Sequence, residues 1–227
     1  MFVDSTGHVY LGQAAHCAEV KESKRDGCHS ATRSLGTPVA LNAGGFWDNF
    51  GKAVGTGTLA YDSWRTMHRL HETNHALCEY NDFALVKVDS KYVDAVNPTM
   101  PHWGGPNGPN TKGVYAGERL YGYGNSSLRG GLTQLSPQSG VAEGDNQASD
   151  GWSHDFESPT PGVPGDSGSA WLDSRGRAVG TLSTLGLSIP IVNATGDIAR
   201  ELTYAQQHSG IKGLRLVLGT RPFRRGS

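Results

Sequence analysis

The sequence lacks long apolar runs and an excess of basic residues, and it has few cysteines, which are features of membrane, nucleic-acid-binding and metal-binding proteins. No apolar run approaches the roughly 18 residues that a membrane-spanning helix requires. The formal net charge of −1 provides no basic surface for nucleic acid. Only three cysteines are present, without closely spaced pairs, which argues weakly against a cysteine-based metal site. We therefore expect neither a membrane nor a nucleic-acid partner, and no metal.

Glycine is abundant, with 32 of 227 residues, while charged residues make up only 18%. This composition is typical of many short strands joined by tight turns, and the length suits one two-lobed β domain. One helix is predicted, because Asp197 can cap and Gly210 can end a segment with helical spacing. Strands are predicted at 2–3, 8–11, 37–41, 54–61, 82–88, 114–123, 132–135, 169–172 and 178–182, an aromatic turn at 46–50 and an exposed polar stretch at 143–155.

Three stretches carry the residue types of an activated hydroxyl nucleophile. They are Ala14-Ala15-His16-Cys17, Asp82-Phe83-Ala84-Leu85-Val86 and Gly165-Asp166-Ser167-Gly168-Ser169. In such a site the imidazole takes the serine proton, and the carboxylate orients and stabilises the imidazole. Each stretch taken alone has an ordinary structural interpretation. A serine between glycines is usually a turn residue, a lone histidine is usually structural, and an aspartate before an apolar run usually caps a strand.

Together the three stretches resemble the motifs Ala-Ala-His-Cys, Asp-Ile-Ala-Leu-Leu and Gly-Asp-Ser-Gly-Gly of the chymotrypsin/trypsin-like serine proteases. Ser169 replaces the second glycine of the animal enzymes, so the secreted bacterial branch is the most similar. The chain order His16, Asp82, Ser167 is also the chymotrypsin-type order. It differs from the order in α/β-hydrolases and in subtilisins.

The resemblance implies hydrolysis of peptide bonds through an acyl-enzyme, without a cofactor. Ser167 is then the nucleophile, His16 acts as general base and then as general acid, and Asp82 orients His16. These three residues are the expected catalytic triad.

The resemblance also assigns roles in the turn around the serine. The backbone N–H groups of Gly165 and Ser167 are expected to form the oxyanion hole. Asp166 is expected to pair with a buried cation that holds the turn open, and Arg129 is the candidate.

The primary specificity pocket is expected around Pro161 and the segment Ser183-Thr184-Leu185. This segment resembles the family's Ser-Trp-Gly strand, which pairs with the substrate backbone, and Leu185 in place of glycine narrows the pocket. Pro161 occupies the pocket base, where an aspartate would select Lys or Arg. We therefore expect a preference for a small or apolar residue.

Three disulfide pairings are open to the cysteines, and each leaves one thiol over. In the family, the partner of the cysteine at Cys17 lies upstream of the residues present here. The resemblance therefore favours Cys28–Cys78, between the loops that flank His16 and Asp82, with Cys17–Cys28 as the runner-up.

The fold that the resemblance implies is all-β, with two antiparallel six-stranded barrels and a C-terminal helix. The resemblance begins after the family's first strand, and Met1–Asp4 has no features of a signal segment, so we expect a first barrel shortened at its N-terminus. The resemblance implies that the protein is a secreted, monomeric endopeptidase acting on protein or peptide substrates. The expected divisions are a first barrel at 1–97, a connection at 98–111, a second barrel at 112–195, a helix at 196–209 and a tail at 210–227.

Two alternatives stay open at this point. One is an inactive or truncated module of the same fold that binds peptide without turnover. The other is a zinc peptidase, because His71-Glu72-Thr73-Asn74-His75 matches the His-Glu-x-x-His motif. The zinc motif requires a well-packed helix, whereas this stretch contains weak helix formers close to the Asp82 strand. We expect a polar loop there instead.

Overall fold

The computed structural model describes residues 1–21, 26–43, 52–130, 132–145, 147–185 and 192–225. The aromatic turn predicted at 46–50 lies outside these residues. In the described part of the chain, twelve strands form two antiparallel units.

The first unit is a six-stranded antiparallel sheet in the order β12-β1-β2-β5-β4-β3. β5 is central, and its apolar side chains are buried because β2 and β4 flank it. Lys87 alone interrupts the apolar run of this strand, and its side chain is half-buried. The strands are β1 (Phe2–Val3), β2 (Val9–Gln13), β3 (Pro38–Ala43), β4 (Lys52–Asp62), β5 (Ala84–Val88) and β12 (Arg215–Leu216).

The second unit is a closed barrel in the order β10-β11-β8-β7-β6-β9. Trp171 fills its centre and stacks at 4.2 Å, centroid to centroid, on Phe156. Gly122 makes room for the indole, since a methyl group there would lie 2.5 Å from the Trp171 ring. The strands are β6 (Arg119–Tyr123), β7 (Pro137–Asp145), β8 (Ser153–Glu157), β9 (Ala170–Leu172), β10 (Ala178–Leu185) and β11 (Val192–Gly196).

Helices are short and lie outside the two sheets. The predicted C-terminal helix is present, and the Asp197 carboxylate caps it by accepting the Arg200 N–H at 2.9 Å. Among the described residues, no helix has both the length and the apolar character to cross a bilayer. The α-helices are α1 (Ser63–Leu70), α2 (His75–Tyr80) and α3 (Ile198–His208), and the 3₁₀ helices are Ala15–Ala18, Ser90–Ala95, Ser127–Arg129, Thr133–Leu135 and Gln147–Ser149.

The connection between the two units is packed against the second barrel. Trp103 is buried, and its indole N–H donates to the Gly122 carbonyl at 2.7 Å. Its ring also lies 4.9 Å from the Tyr121 ring. These contacts fix the connection on β6 of the second barrel.

The predicted all-β fold class is confirmed, with one difference in how the first unit reaches six strands. The segment 210–227 was expected to be only a tail, but its β12 pairs with β1, with Phe2 opposite Leu216. The C-terminal segment therefore covers the outer edge of the two-residue strand β1.

Two local predictions were wrong, and two helices were missed. The segment 132–135 forms a 3₁₀ helix and not a strand. The stretch 143–155 is not uniformly exposed, because it includes the end of β7 and the start of β8, where His154 is buried against Asp197 at 2.9 Å. The helices α1 and α2 were not predicted. Burial of a polar side chain such as His154 depends on partners that are distant in sequence, and a local pattern does not show these partners.

Candidate active site

His16 lies in the 3₁₀ helix Ala15–Ala18, directly after β2. The small side chains of Ala14 and Ala15 are 0% exposed, so the backbone packs closely at this point. The imidazole ring itself is 31% exposed. The Trp64 ring of α1 lies 6.4 Å from it, centroid to centroid. Close packing of Ala14 and Ala15 therefore fixes the backbone of this short helix, while the imidazole ring of His16 stays accessible to solvent.

Asp82 lies immediately before β5 and is buried beside His16. Its Oδ1 accepts the backbone N–H of His16 at 2.9 Å, and its Oδ2 lies 2.6 Å from His16 Nδ1. Ser63 Oγ donates to the Asn81 carbonyl at 2.8 Å and accepts the Phe83 N–H at 3.0 Å, which fixes the chain on both sides of Asp82. Since Nδ1 is bonded to the carboxylate, Nε2 is the nitrogen left for proton transfer.

The electrostatics of the pair favour a charged imidazole. Burial lowers the pKa of His16, but the hydrogen bonds to Asp82 and Cys17 and the negative charge of Asp82 outweigh it and raise this pKa well above its ordinary value. Burial also raises the pKa of Asp62 to about 7, with the charge of Asp82 adding to the effect and the Arg65 N–H opposing it. The neighbourhood of Asp82 is therefore acidic, and His16 is its basic partner.

Ser167 lies half-buried in the glycine-rich turn that precedes β9. Gly165 and Gly168 adopt φ values of 95° and 83°, which favour glycine. A methyl group at Gly168 would lie 2.8 Å from the backbone nitrogen of Ala14 and 2.9 Å from Gln13 Cα. The turn of the second unit therefore packs on the segment that leads into the histidine of the first. Because Ser167 directly precedes Gly168, this backbone contact places the serine turn against the segment that leads into His16.

The same turn presents two N–H groups to the outside. The N–H groups of Asp166 and Gly168 donate to backbone carbonyls at 2.9 and 2.8 Å. By contrast, those of Gly165 and Ser167 donate to no protein atom in the described part of the chain. They are therefore available to a ligand oxygen, as an oxyanion hole requires.

The predicted partner of Asp166 is present. The Arg129 guanidinium pairs with Oδ2 of Asp166, and the side chains are 9% and 0% exposed. Ser126 N–H donates to Oδ1 of the same carboxylate at 3.0 Å. Arg129 also donates to the carbonyls of Leu135, at 2.6 Å, and Pro161, at 3.1 Å. One buried cation thus joins three segments behind the serine turn.

The expected pocket base is fixed from two sides. Pro161 is half-buried, and its carbonyl accepts the Arg129 hydrogen bond described above. The next residue, Gly162, donates its N–H to Oδ1 of Asn193 at 3.0 Å. Asn193 lies on β11 and is 0% exposed. Asn193 could not be identified from the sequence, because no local pattern shows that a strand residue accepts a hydrogen bond from a residue 31 positions away.

The segment Ser183–Leu185 forms the last part of β10. One side of β10 pairs with β11 as far as Leu185, whereas its pairing with β9 on the other side ends at Thr181. Within the described residues, the second edge of Ser183–Leu185 is therefore open to an added strand. Thr184 is exposed, and Ser183 Oγ donates to the Ala194 carbonyl at 3.3 Å. The side chain of Leu185 is outside the described atoms.

The structure joins Cys28 and Cys78 in a disulfide, the pairing that the family resemblance favours. The Gly27 N–H also donates to the Cys78 carbonyl at 2.9 Å. The bond therefore ties the loop that follows His16 to α2, the helix that leads to Asp82. Cys17 carries a free, exposed thiol.

The zinc interpretation has no support in the geometry of its motif. His71 ends α1 in the left-handed region, with φ of 52°, and His75 begins α2. Glu72 Oε1 accepts the N–H groups of Thr73 and Asn74, at 2.9 and 3.0 Å, and so shapes the turn between the helices. The two histidines do not lie one turn apart on a single helix, which is the arrangement that the motif requires.

A further buried residue of this region, Glu201 on α3, was missed. Its position carried a signal, because it lies between Ile198, Leu202 and Ala205 on the apolar stripe of the predicted helix. An acidic residue within such a stripe is buried when the helix packs. The charge environment of Glu201 includes Asp82, so the residue belongs to the surroundings of the site.

Sequence comparisons find no match, neither to a family model nor to a curated protein. Solved structures do match. The chain is similar to protease A of Thermobifida fusca, at 18% identity and a TM-score of 0.54, over 96% of this chain and 89% of that one. It is also similar to the Nocardiopsis protease, at 16% identity and a TM-score of 0.51, over 95% and 88% of the two chains.

A third similar structure is the thermostable serine protease AL20 of an extremophilic microorganism. It is 14% identical, with a TM-score of 0.50, over 91% of this chain and 94% of that one. Similarity at these identities shows the fold alone. The chain therefore has the fold of the bacterial chymotrypsin-like serine proteases, as its three short motifs predict, and its chemistry is argued from the site.

Proposed function

We propose that the chain is a serine endopeptidase that hydrolyses peptide bonds with His16, Asp82 and Ser167. One observation carries this proposal. His16, which is bonded to Asp82 at 2.6 Å through Nδ1, follows directly on the segment against which the Ser167 turn packs. A hydroxyl, an imidazole and a carboxylate are the parts of a nucleophilic acyl-transfer site, and the contact between the serine turn and the His16 segment supports their assembly.

The reaction proceeds in two halves. Ser167 Oγ attacks the peptide carbonyl while His16 Nε2 takes the hydroxyl proton, and the tetrahedral intermediate collapses when His16 returns that proton to the leaving amine. Water then attacks the acyl-serine ester, again with His16 as base, and releases the acid product and the free hydroxyl. Asp82 holds the proton-bearing Nδ1 throughout and stabilises the imidazolium that forms twice.

The serine turn supplies the electrostatic part of catalysis. The N–H groups of Gly165 and Ser167 would donate to the carbonyl oxygen as it becomes negative, and each such donor is typically worth about 2.7–4 kcal/mol. Their positions depend on the turn that Arg129 and Asp166 hold from behind. The buried pair therefore acts on the reaction through the shape of the turn.

The substrate is a protein or peptide in extended conformation. The open edge of Ser183–Leu185 suits an added strand, whose main chain would bond to β10. Pro161 brings no charge to the pocket base, so a small or apolar residue before the cleaved bond is favoured over Lys or Arg. The Cys28–Cys78 disulfide supports action in an oxidising, extracellular setting, where such bonds persist. We expect the monomer to be the active form.

A panel of peptides that differ only in the residue before the cleaved bond, with Ala, Leu, Lys or Glu there, tests the proposal. We expect cleavage read by mass spectrometry, fastest for Ala or Leu, abolished by Ser167→Ala and kept by Ser5→Ala, which changes an exposed serine of the β1–β2 turn. A chelator should have no effect. Binding of the peptides without turnover would instead assign the chain as a non-catalytic module, and loss of turnover with chelator would assign a metal-dependent enzyme.

A further inference from the structure

The segment 211–225, which follows α3, contacts both units of the molecule, and the mechanism above does not use it. Its first part runs along the edge of the first sheet. Leu216 of β12 lies opposite Phe2 of β1, and the Val217 N–H donates to the Met1 carbonyl at 3.0 Å. This part of the segment is therefore a strand of the first unit.

The middle of the segment lies along the connection between the two units. The Gly219 N–H donates to the Pro106 carbonyl at 2.8 Å, and the Gly105 N–H donates to the Arg221 carbonyl at 3.0 Å. A methyl group at Gly219 would overlap the Gly105 carbonyl oxygen, so the two backbones are in direct contact. Main-chain bonds and a close approach that glycine permits thus attach the segment to the connection.

The last part of the segment reaches the second barrel. The Phe223 ring lies 5.3 Å from the Tyr121 ring of β6, centroid to centroid. Phe223 also packs on Gly176, where a methyl group would collide with its Cβ. Nε and Nη2 of Arg225 both donate to the Ser174 carbonyl, at 2.9 and 2.6 Å, in the turn between β9 and β10. One continuous segment therefore joins the first sheet, the connection and the second barrel.

A cavity of about 210 Å³ lies between the two units beside this segment. The first unit lines it with Leu11, the second with Leu172, and the segment itself with Leu216. Gly168 and Ala170, which follow the proposed nucleophile, line it as well. Because a void lacks the dispersion contacts of a packed interface, packing alone holds the units together weakly in this place. The segment closes a space that the serine turn also borders.

We propose that the segment 211–225 is a strap that holds the two units in the relative position that the active site requires. The proposal rests on the function proposed above, because the proposed site is divided between the units. His16 and Asp82 belong to the first unit, and Ser167 belongs to the second. A displacement of about 1 Å between reacting groups can cost roughly a hundredfold in rate. Release of the strap therefore lowers turnover while each unit keeps its own fold.

Two variants release the strap at different points. Gly219→Ala drives it from the connection, because the added methyl group overlaps the Gly105 carbonyl oxygen. Phe223→Ala removes the ring that packs on the second barrel, whereas Phe223→Leu keeps an apolar side chain there and should restore native behaviour. Leu218→Ala is the matched control within the strap, since Leu218 is 54% exposed.

NMR signals from chosen sites report the contact between the units separately from the fold of each unit. The backbone amides of Ala14 and Gly168 report the contact, because a methyl group at Gly168 would lie 2.8 Å from the Ala14 nitrogen. The indole signal of Trp171, which is 0% exposed, reports the core of the second barrel. In the two releasing variants we expect both amide signals to move or broaden and the indole signal to stay.

Steady-state hydrolysis of a peptide gives the functional readout. We expect kcat to fall about tenfold to a hundredfold in Gly219→Ala and Phe223→Ala, because the serine turn and the histidine segment no longer keep their relative position. Phe223→Leu and Leu218→Ala should keep both the native kcat and the native amide signals.

The two proposals fail in different ways. A native chain with sharp Ala14 and Gly168 signals that hydrolyses no peptide contradicts the proposed function and leaves the strap measurable by NMR. Amide signals that stay native in folded Gly219→Ala and Phe223→Ala would overturn the strap. An indole signal of Trp171 that moves with the amides would also overturn it, since the barrel itself is then disturbed.

A third variant decides if neither releasing variant folds. Arg225→Ala removes only an exposed side chain and its bonds to the Ser174 carbonyl. We expect smaller movements of the Ala14 and Gly168 amide signals in this variant, with the Trp171 indole signal unchanged. Amide signals identical to those of the native chain would contradict the strap.

Discussion

Two buried carboxylates of the site each have a basic partner, and the partners differ. Asp82 pairs with the His16 ring, which is 31% exposed, while Asp166 pairs with the Arg129 guanidinium, which is 9% exposed. An unperturbed imidazole loses its proton near neutral pH, and His16, whose pKa is raised, loses it at higher pH, whereas a guanidinium keeps its proton at every pH that proteins meet. The first pair is therefore suited to moving a proton, and the second to holding a loop. Breaking each pair should have different consequences for activity and for stability.

The largest expected effect is loss of activity in His16→Ala. Without the base, Ser167 keeps its proton, and turnover of a peptide substrate should fall by about 10⁶-fold. The free energy of unfolding should fall less than on removal of Arg129, because water reaches the position of the half-exposed ring. Steady-state turnover and denaturant unfolding of the same samples check both statements. Activity within tenfold of the native chain would rule out His16 as the base.

Asp82→Asn should have the next largest effect, a loss of roughly 10⁴-fold in turnover at neutral pH, because an amide selects the wrong tautomer of the imidazole. The Asp82 interactions raise the pKa of His16, so removing the charge should lower this pKa toward its ordinary value. The free base then forms at lower pH in the variant than in the native chain. A ring titration by NMR gives the shift, and a rise of the pKa would contradict the account.

Arg129→Met should chiefly affect stability. It leaves the carboxylate of Asp166 buried and unpaired, and breaking such a pair costs about 3–5 kcal/mol of unfolding free energy. The double change Arg129→Met with Asp166→Asn should recover part of the loss, since no charge is then buried. Denaturant unfolding measures both, with exposed Arg33→Met as the matched control. A loss no larger than that of the control would show that the pair does not hold the loop.

The smallest of these effects is expected for removal of the disulfide. Replacing Cys28 and Cys78 by alanine opens a link between residues 50 positions apart. Such links are typically worth about 2–4 kcal/mol. The loops beside His16 and Asp82 should become more mobile, whereas the Arg129–Asp166 side should not. Hydrogen exchange followed segment by segment gives the comparison, and equal loosening of both sides would contradict it.

The sequence was informative where a residue's chemistry determines its neighbours. The three motifs led to a fold that the structures of bacterial proteases share. The family resemblance implied a buried cation for Asp166, with Arg129 as the candidate, and the structure pairs the two. In both cases a short motif sufficed because it resembles a motif of a family whose arrangement is known.

The sequence was uninformative where contacts between distant segments decide. His154 is polar, yet it is buried because Asp197 lies 2.9 Å away across the chain. The α-helices beside Asp82 escaped prediction because their eight and six residues depend on packing more than on propensity. Glu201 is an acid on an apolar stripe, which indicates its burial, but its contact with Gly196 appears only in the packed structure. The partners of these residues are determined by tertiary contacts, which no local sequence pattern shows.

Labelling of Ser167 with a fluorophosphonate, read by intact mass across a range of pH, tests the central claim most directly. The reagent bonds to an activated serine oxygen and releases fluoride. The account predicts one adduct per chain, at a rate that rises with pH as His16 loses its proton. Ser167→Ala and His16→Ala should give no adduct, and Ser5→Ala should behave as the native chain. A folded native chain that stays unlabelled, or that labels equally without His16, would contradict the claim that His16 and Asp82 activate Ser167.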